Sequence, residues 1–162
     1  MANRFFKKPK ERAIAGKIAL CACIAIACVL AIAACGKMFY PSEYLKALDR
    51  WISAFEILFL FAIVFFRRRW QLWLAASSVF AAWGGYALYW CCVKLPCACM
   101  GKMLNIPSGI SIAFDMIFFA SSLFIAYLLG GRLRWIYLSL ITGCLAVLAG
   151  YVFAGWVYRQ VF

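Results

Sequence analysis

The sequence has no histidine. Imidazole is the usual base beside a serine or cysteine nucleophile and a common haem and metal ligand, so Ser-His and Cys-His catalysis and histidine-based ligation are excluded. Acidic residues are scarce as well, five against 17 Lys and Arg. No glycine-rich phosphate loop occurs. The groups left with chemistry to offer are nine cysteines, two carboxyls inside apolar runs, and neighbouring lysines and arginines.

What is abundant is apolar. Hydrophobic residues fill 69% of the 162 positions, and the mean hydropathy is +0.95. A globule of this size has too little interior to hide so many apolar side chains, which excludes a water-soluble domain. A helix needs about 20 apolar residues to cross the hydrocarbon core. The sequence predicts an all-α polytopic membrane protein with five spans, at 14–35, 51–66, 70–92, 107–129 and 135–157. They form one transmembrane domain over 13–162, and residues 1–12 are a basic tail suited to anionic headgroups. The lipid bilayer is the first partner. A net charge of +12 would suggest nucleic acid in a soluble chain, but here the cations cluster at the ends of the spans and read as topology, so nucleic acid is not expected.

One side of the membrane receives Arg4, Lys7, Lys8, Lys10, Arg12, Lys17, Arg67, Arg68, Arg69, Arg132 and Arg134; the other receives Lys37, Lys46, Arg50, Lys94, Lys102 and Arg159. The positive-inside rule then makes the amino terminus cytoplasmic and turns the Cys91–Lys102 loop outward, where disulfides form and persist.

Along the first span, Ala15, Ala19, Cys23, Ala27, Ala31 and Cys35 recur every four residues and predict a small-residue packing face. Cys21, Cys28 and Cys35 repeat every seven, and a cysteine in lipid is commonly a small polarizable packing residue. A second reading takes Ile32-Ala33-Ala34-Cys35-Gly36 as a lipoprotein signal cleaved before Cys35, although further membrane helix follows it. Ser42 is a candidate N-cap for a short amphipathic surface helix through Tyr44, Leu45 and Leu48. Glu56 in the second span and Asp115 in the fourth fall on the same side as the cysteine loop, and such carboxyls usually face the bundle. They would neutralise Lys37, Arg50 or Lys94, or pass protons. Gly84 and Gly85, then Gly143, Gly150 and Gly155, are expected helix contact points.

The densest chemistry lies in Cys91-Cys92-Val93-Lys94-Leu95-Pro96-Cys97-Ala98-Cys99-Met100-Gly101-Lys102. A metal reading needs Cys91, Cys92, Cys97 and Cys99 as four thiolates, but the spacing is not that of zinc ribbons and an outward site favours disulfides. Thiol-disulfide exchange needs an accessible thiolate and a second thiol near enough to resolve the mixed disulfide. Cys97 and Cys99 meet that need, and Lys94 and Lys102 flank them and favour the thiolate. Cys91, Cys92 and Cys35 are candidate resolving thiols on the same side. The bland alternative is a structural disulfide that staples the loop of a non-enzymatic scaffold.

The order of these features resembles the MauE branch of the DoxX-like membrane proteins. The likeness covers about residues 14–129 and rests on Gly36-Lys37, Pro41, Glu56, Cys97-Ala98-Cys99-Met100-Gly101 and Asp115. It implies a four-helix transmembrane bundle, here with a fifth helix, in a bacterial cytoplasmic (inner) membrane. It also implies Cys97 and Cys99 as the redox pair of a thiol-disulfide oxidoreductase, with Lys37 and Glu56 as supporting positions and an extracytoplasmic thioredoxin-like protein as partner. Met100 where the family usually has Phe, the extra pair Cys91-Cys92, and the fifth span are departures. A quinone-linked oxidoreductase subunit is a third reading, marked in the sequence only by apolar aromatics. No cofactor is otherwise expected.

Overall fold

The computed structural model describes residues 9–41, 46–95 and 106–161. Among them are five helices, α1 (Pro9–Phe39), α2 (Lys46–Phe66), α3 (Trp70–Cys92), α4 (Ser108–Leu128) and α5 (Leu133–Val161). Two boundaries matter for the site. α1 runs four residues past Cys35, so Lys37 stands on a helix rather than in a loop. α2 begins at Lys46 and takes in Lys46–Arg50, which the sequence assigns to a separate surface helix; Ser42, Tyr44 and Leu45 lie outside the described residues. The reason is periodicity: Asp49, Ser53, Glu56, Phe59 and Ile63 are all buried, one unbroken helical stripe that starts before the apolar run does.

Three segments, Ala13–Phe39, Ser108–Leu128 and Leu133–Gln160, are long and apolar enough to cross a membrane. α2 and α3 match them in length, at 21 and 23 residues, and differ in carrying Asp49, Ser53, Glu56 and Ser77, all turned inward. The exterior is the reverse of a soluble protein's: Phe65 is 75% exposed, Leu58 69% and Val152 69%, while Lys37, Glu56 and several serines are buried. Such a surface belongs in lipid.

α3 is the central helix. It packs along α4 and α5, while α1 and α2 form an antiparallel hairpin that meets the trio chiefly through α1 and α4. The α3–α5 contact is as close as backbones allow: a Cβ on Gly85 would strike the Val147 carbonyl oxygen, and one on Gly150 the Ala82 carbonyl oxygen. Ser77 and Ser139 add a hydroxyl–hydroxyl bond of 2.8 Å across the same interface. The hairpin is tied by the Cys23 thiol to the Ile63 carbonyl oxygen (3.7 Å) and by the Ser53 hydroxyl to the Ala34 carbonyl oxygen (3.2 Å).

The every-four stripe of α1 behaves as helix geometry requires. Ala15, Ala19 and Cys23 are buried, Ala27 and Ala31 half-buried, and Cys35 exposed, because a spacing of four drifts by about 40° per step on a 3.6-residue helix. The buried face continues instead through Ile26, Leu30, Ala33, Ala34 and Lys37. Cys21 and Cys28 are exposed on the outer side of the helix.

The bundle has two distinct ends. Trp70 and Trp135 pack against each other at one, their rings tilted by 42°, beside Arg67–Arg69 and Arg132. Tyr89, Trp90 and Tyr158 cluster at the other, next to Cys91 and Cys92. We call these the arginine end and the cysteine end.

Candidate functional site

Toward the cysteine end, the last turn of α1 and the third turn of α2 bring Lys37 and Glu56 together. Lys37 Nζ donates to Glu56 Oε1 at 2.5 Å, with side-chain exposures of 4% and 5%. Neither charge alone is tolerable in an apolar interior; paired and hydrogen-bonded they are. The Ser53 hydroxyl, one turn earlier on α2, lies 2.8 Å from the Asp49 carbonyl oxygen, so the polar face of α2 is satisfied locally as well as across the hairpin. The pair is incomplete: Glu56 Oε2 is buried with no hydrogen-bond partner.

Lys37 and Glu56 line a cavity of about 360 Å³ between the hairpin and the α3–α4–α5 trio. At its cysteine end the wall is polar, with Lys37, Asp49, Glu56, Ser111 and Asp115. Deeper in, it is aromatic and aliphatic, with Leu30, Phe80, Trp83, Phe118 and Phe153. Phe80 packs at the centre of this wall, its ring centroid 5.6 Å from that of Trp83 and 5.2 Å from that of Phe118. Asp115 faces α3 at Gly84 and feels the Lys37 charge across the space. Among the described residues no three Cys, Asp or Glu side chains converge as metal ligands would.

Of the residues singled out in the sequence, Lys37, Glu56 and Asp115 are brought together in this cavity. Cys35 is not. It lies two residues before Lys37 on the same helix, about 200° around the axis, and is exposed. Cys91 and Cys92 are exposed free thiols in the last turn of α3, Cys92 beside Tyr151 of α5. Lys94 is exposed and ends α3 in an unusual way, with φ +57°. Its N–H donates to the Cys91 carbonyl oxygen (3.1 Å) and the Leu95 N–H to that of Trp90 (3.0 Å), a Schellman cap with Lys where glycine is the usual residue. α4 ends in the same motif around Gly130, φ +98°. Cys97, Cys99 and Lys102 lie outside the described residues. So does Asn105; its neighbour Ile106 lines the cavity.

Sequence reasoning missed Asp49 and the aromatic wall. Asp49 precedes Glu56 by seven residues and Ser53 by four, a helical face that was legible once 46–50 joined α2. The wall had no sequence signal, since Phe80, Trp83 and Phe118 differ in no local pattern from aromatics that face lipid, such as Phe61 and Phe65. Compared with known protein families, curated proteins and solved structures, the chain matches none.

Proposed function

We propose that this chain is a five-span protein of a bacterial cytoplasmic membrane that relays thiol-disulfide equivalents, in the manner of the MauE branch, to or from an extracytoplasmic thioredoxin-like protein. Cys97 and Cys99 are the exchanging pair, and Cys91 and Cys92, free and exposed at the end of α3, are the candidate resolving thiols.

One observation carries the reading. The described residues on either side of the segment that bears Cys97 and Cys99 are Leu95, packed in the cluster around Trp90, and Ile106, on the wall of the cavity that holds Lys37, Glu56 and Asp115. Thiols that exchange must release and regain protons, and the carboxyls and the lysine are gathered at the same end of the bundle. The lengths of α2 and α3, about 32 and 35 Å at helical rise, suffice for a core of about 30 Å, with their polar residues shielded inside. The excess of Lys and Arg at the arginine end supports a cytoplasmic placement of that end.

Trapping tests the reading. In a Cys99→Ser variant, Cys97 should hold a partner as a reducible mixed disulfide on non-reducing gels. If neither the Cys97→Ser nor the Cys99→Ser variant forms an adduct and both support function, the relay is excluded. A purely structural disulfide would give a different result: reduction would lower stability without a reversible titration against a glutathione buffer.

A further inference from the structure

We propose that the groove between the starts of α3 and α5, at the arginine end, is a docking site for the headgroup of an anionic phospholipid of the phosphatidylglycerol class. The site depends on neither the relay nor the side of the membrane that the arginine end faces.

The arginines at this end lack counter-charges among the described side chains. Arg67 is held in the turn after α2, where its guanidinium Nη1 donates to the Val64 carbonyl oxygen (3.2 Å) and its own carbonyl oxygen accepts from the Trp73 indole (2.7 Å). Arg68, Arg69, Arg132 and Arg134 are exposed. The described carboxyl side chains, Asp49, Glu56 and Asp115, all line the cavity toward the cysteine end, so none of them neutralises these arginines.

The groove gives those charges a place. Trp70 and Trp135, ring centroids 6.3 Å apart, form its floor with Gln71 and Leu74. Arg69 precedes Trp70 in the chain, and the Arg134 guanidinium carbon lies 5.4 Å from the Trp135 ring centroid. The turn between α4 and α5 closes on the same floor: a Cβ at Gly131 would meet the Trp70 ring at 3.6 Å, which brings Arg132 to the rim. Indole rings beside arginines mark the depth of lipid headgroups. Leu138 and Leu145 share a face of α5 with Trp135 and are exposed, an apolar track for an acyl chain. A dissolved anion has no use for that track, and a choline or ethanolamine headgroup brings its own cation against the arginines. A phosphodiester without an amine satisfies both, its oxygens accepting from the guanidinium groups.

The test counts lipids bound to the full chain in dodecyl maltoside by native mass spectrometry, during titration with phosphatidylglycerol. One lipid should bind saturably, at least about tenfold more tightly than phosphatidylcholine or phosphatidylethanolamine with the same acyl chains. Binding should weaken as salt rises, since the arginines are exposed. Arg69→Gln/Arg132→Gln should bind about 25-fold more weakly, about fivefold per arginine. Arg50→Gln/Arg159→Gln, which removes the same charge from exposed residues toward the cysteine end, should bind like the native chain. If the first variant proves unstable, Arg68→Gln/Arg134→Gln takes its place in the comparison. Equal affinity for the three lipids, unchanged affinity in the arginine-end variant, or equal weakening by both charge removals overturns the site. So does displacement of the lipid by inorganic phosphate at constant ionic strength, which would make this a site for a dissolved anion. Trp135→Ala removes half of the indole floor and should weaken binding as well; a lipid that ignores its loss sits elsewhere, and the groove is overturned as its place.

Discussion

Lys37 Nζ and Glu56 Oε1 meet at 2.5 Å with both side chains almost sealed. The pair joins the end of α1 to the middle of α2, and its stability is asymmetric. Removing one partner strands the other charge in an apolar interior, a loss of about 3–5 kcal/mol for buried pairs, whereas replacing both by apolar residues of similar size is often neutral or stabilising. Lys37→Met and Glu56→Leu should each lower the unfolding temperature in detergent sharply, and the double variant should recover most of the loss. A double variant as unstable as the sum of the singles would show that the two residues do not act as a pair.

The contact between α3 and α5 is equally specific. Gly85 and Gly150 each face a backbone carbonyl of the opposing helix, which cannot move aside, whereas Gly84 faces the flexible end of Met116 and Gly16 faces open space. Gly85→Ala and Gly150→Ala should each cost about 1–3 kcal/mol, the usual range for overpacking a close contact. Gly84→Ala should cost less, and Gly16→Ala, inside α1 with open space at its Cβ, should be neutral or stabilise by up to about 1 kcal/mol. Chemical denaturation of the four variants under one detergent condition ranks them; equal effects at Gly85 and Gly16 would contradict the close approach.

The sequence carried the helix inventory because apolar length and turn residues are local properties: α3 runs from Trp70 to Cys92, as expected from its aromatic ends. It also placed Lys37, Glu56 and Asp115 on one side of the bundle. It could not say that Lys37 would choose Glu56 over Asp115, since that depends on how far α1 continues past Cys35. Nor could it anticipate a cavity, which arises where a hairpin and a trio of helices meet imperfectly. The every-four stripe misled at Cys35 for a simpler reason, the drift between four residues and one turn.

Thiol labelling checks the orientation. A chain that keeps only Cys92 should react with a membrane-impermeant maleimide added to intact cells, because Cys92 is exposed at the cysteine end. A chain that keeps only Cys28 should not, since Cys28 is exposed midway along α1, against lipid. Labelling of Cys92 only after the cells are broken would put the cysteine end in the cytoplasm and remove the oxidising environment the relay needs.

Lys94 separates backbone from charge. A non-glycine residue in the left-handed region costs about 1 kcal/mol or more, and the equivalent position after α4 is Gly130. Lys94→Gly should therefore stabilise the chain by about 1 kcal/mol, while Lys94→Ala keeps the strain and leaves stability close to that of the native chain. Both remove the positive charge three residues before Cys97, so both should slow alkylation of that thiol by iodoacetamide to a similar degree. The proposed role of Lys94 as the cation that favours the Cys97 thiolate requires that similarity. If only the glycine variant slowed the reaction, the turn geometry and not the charge would control Cys97.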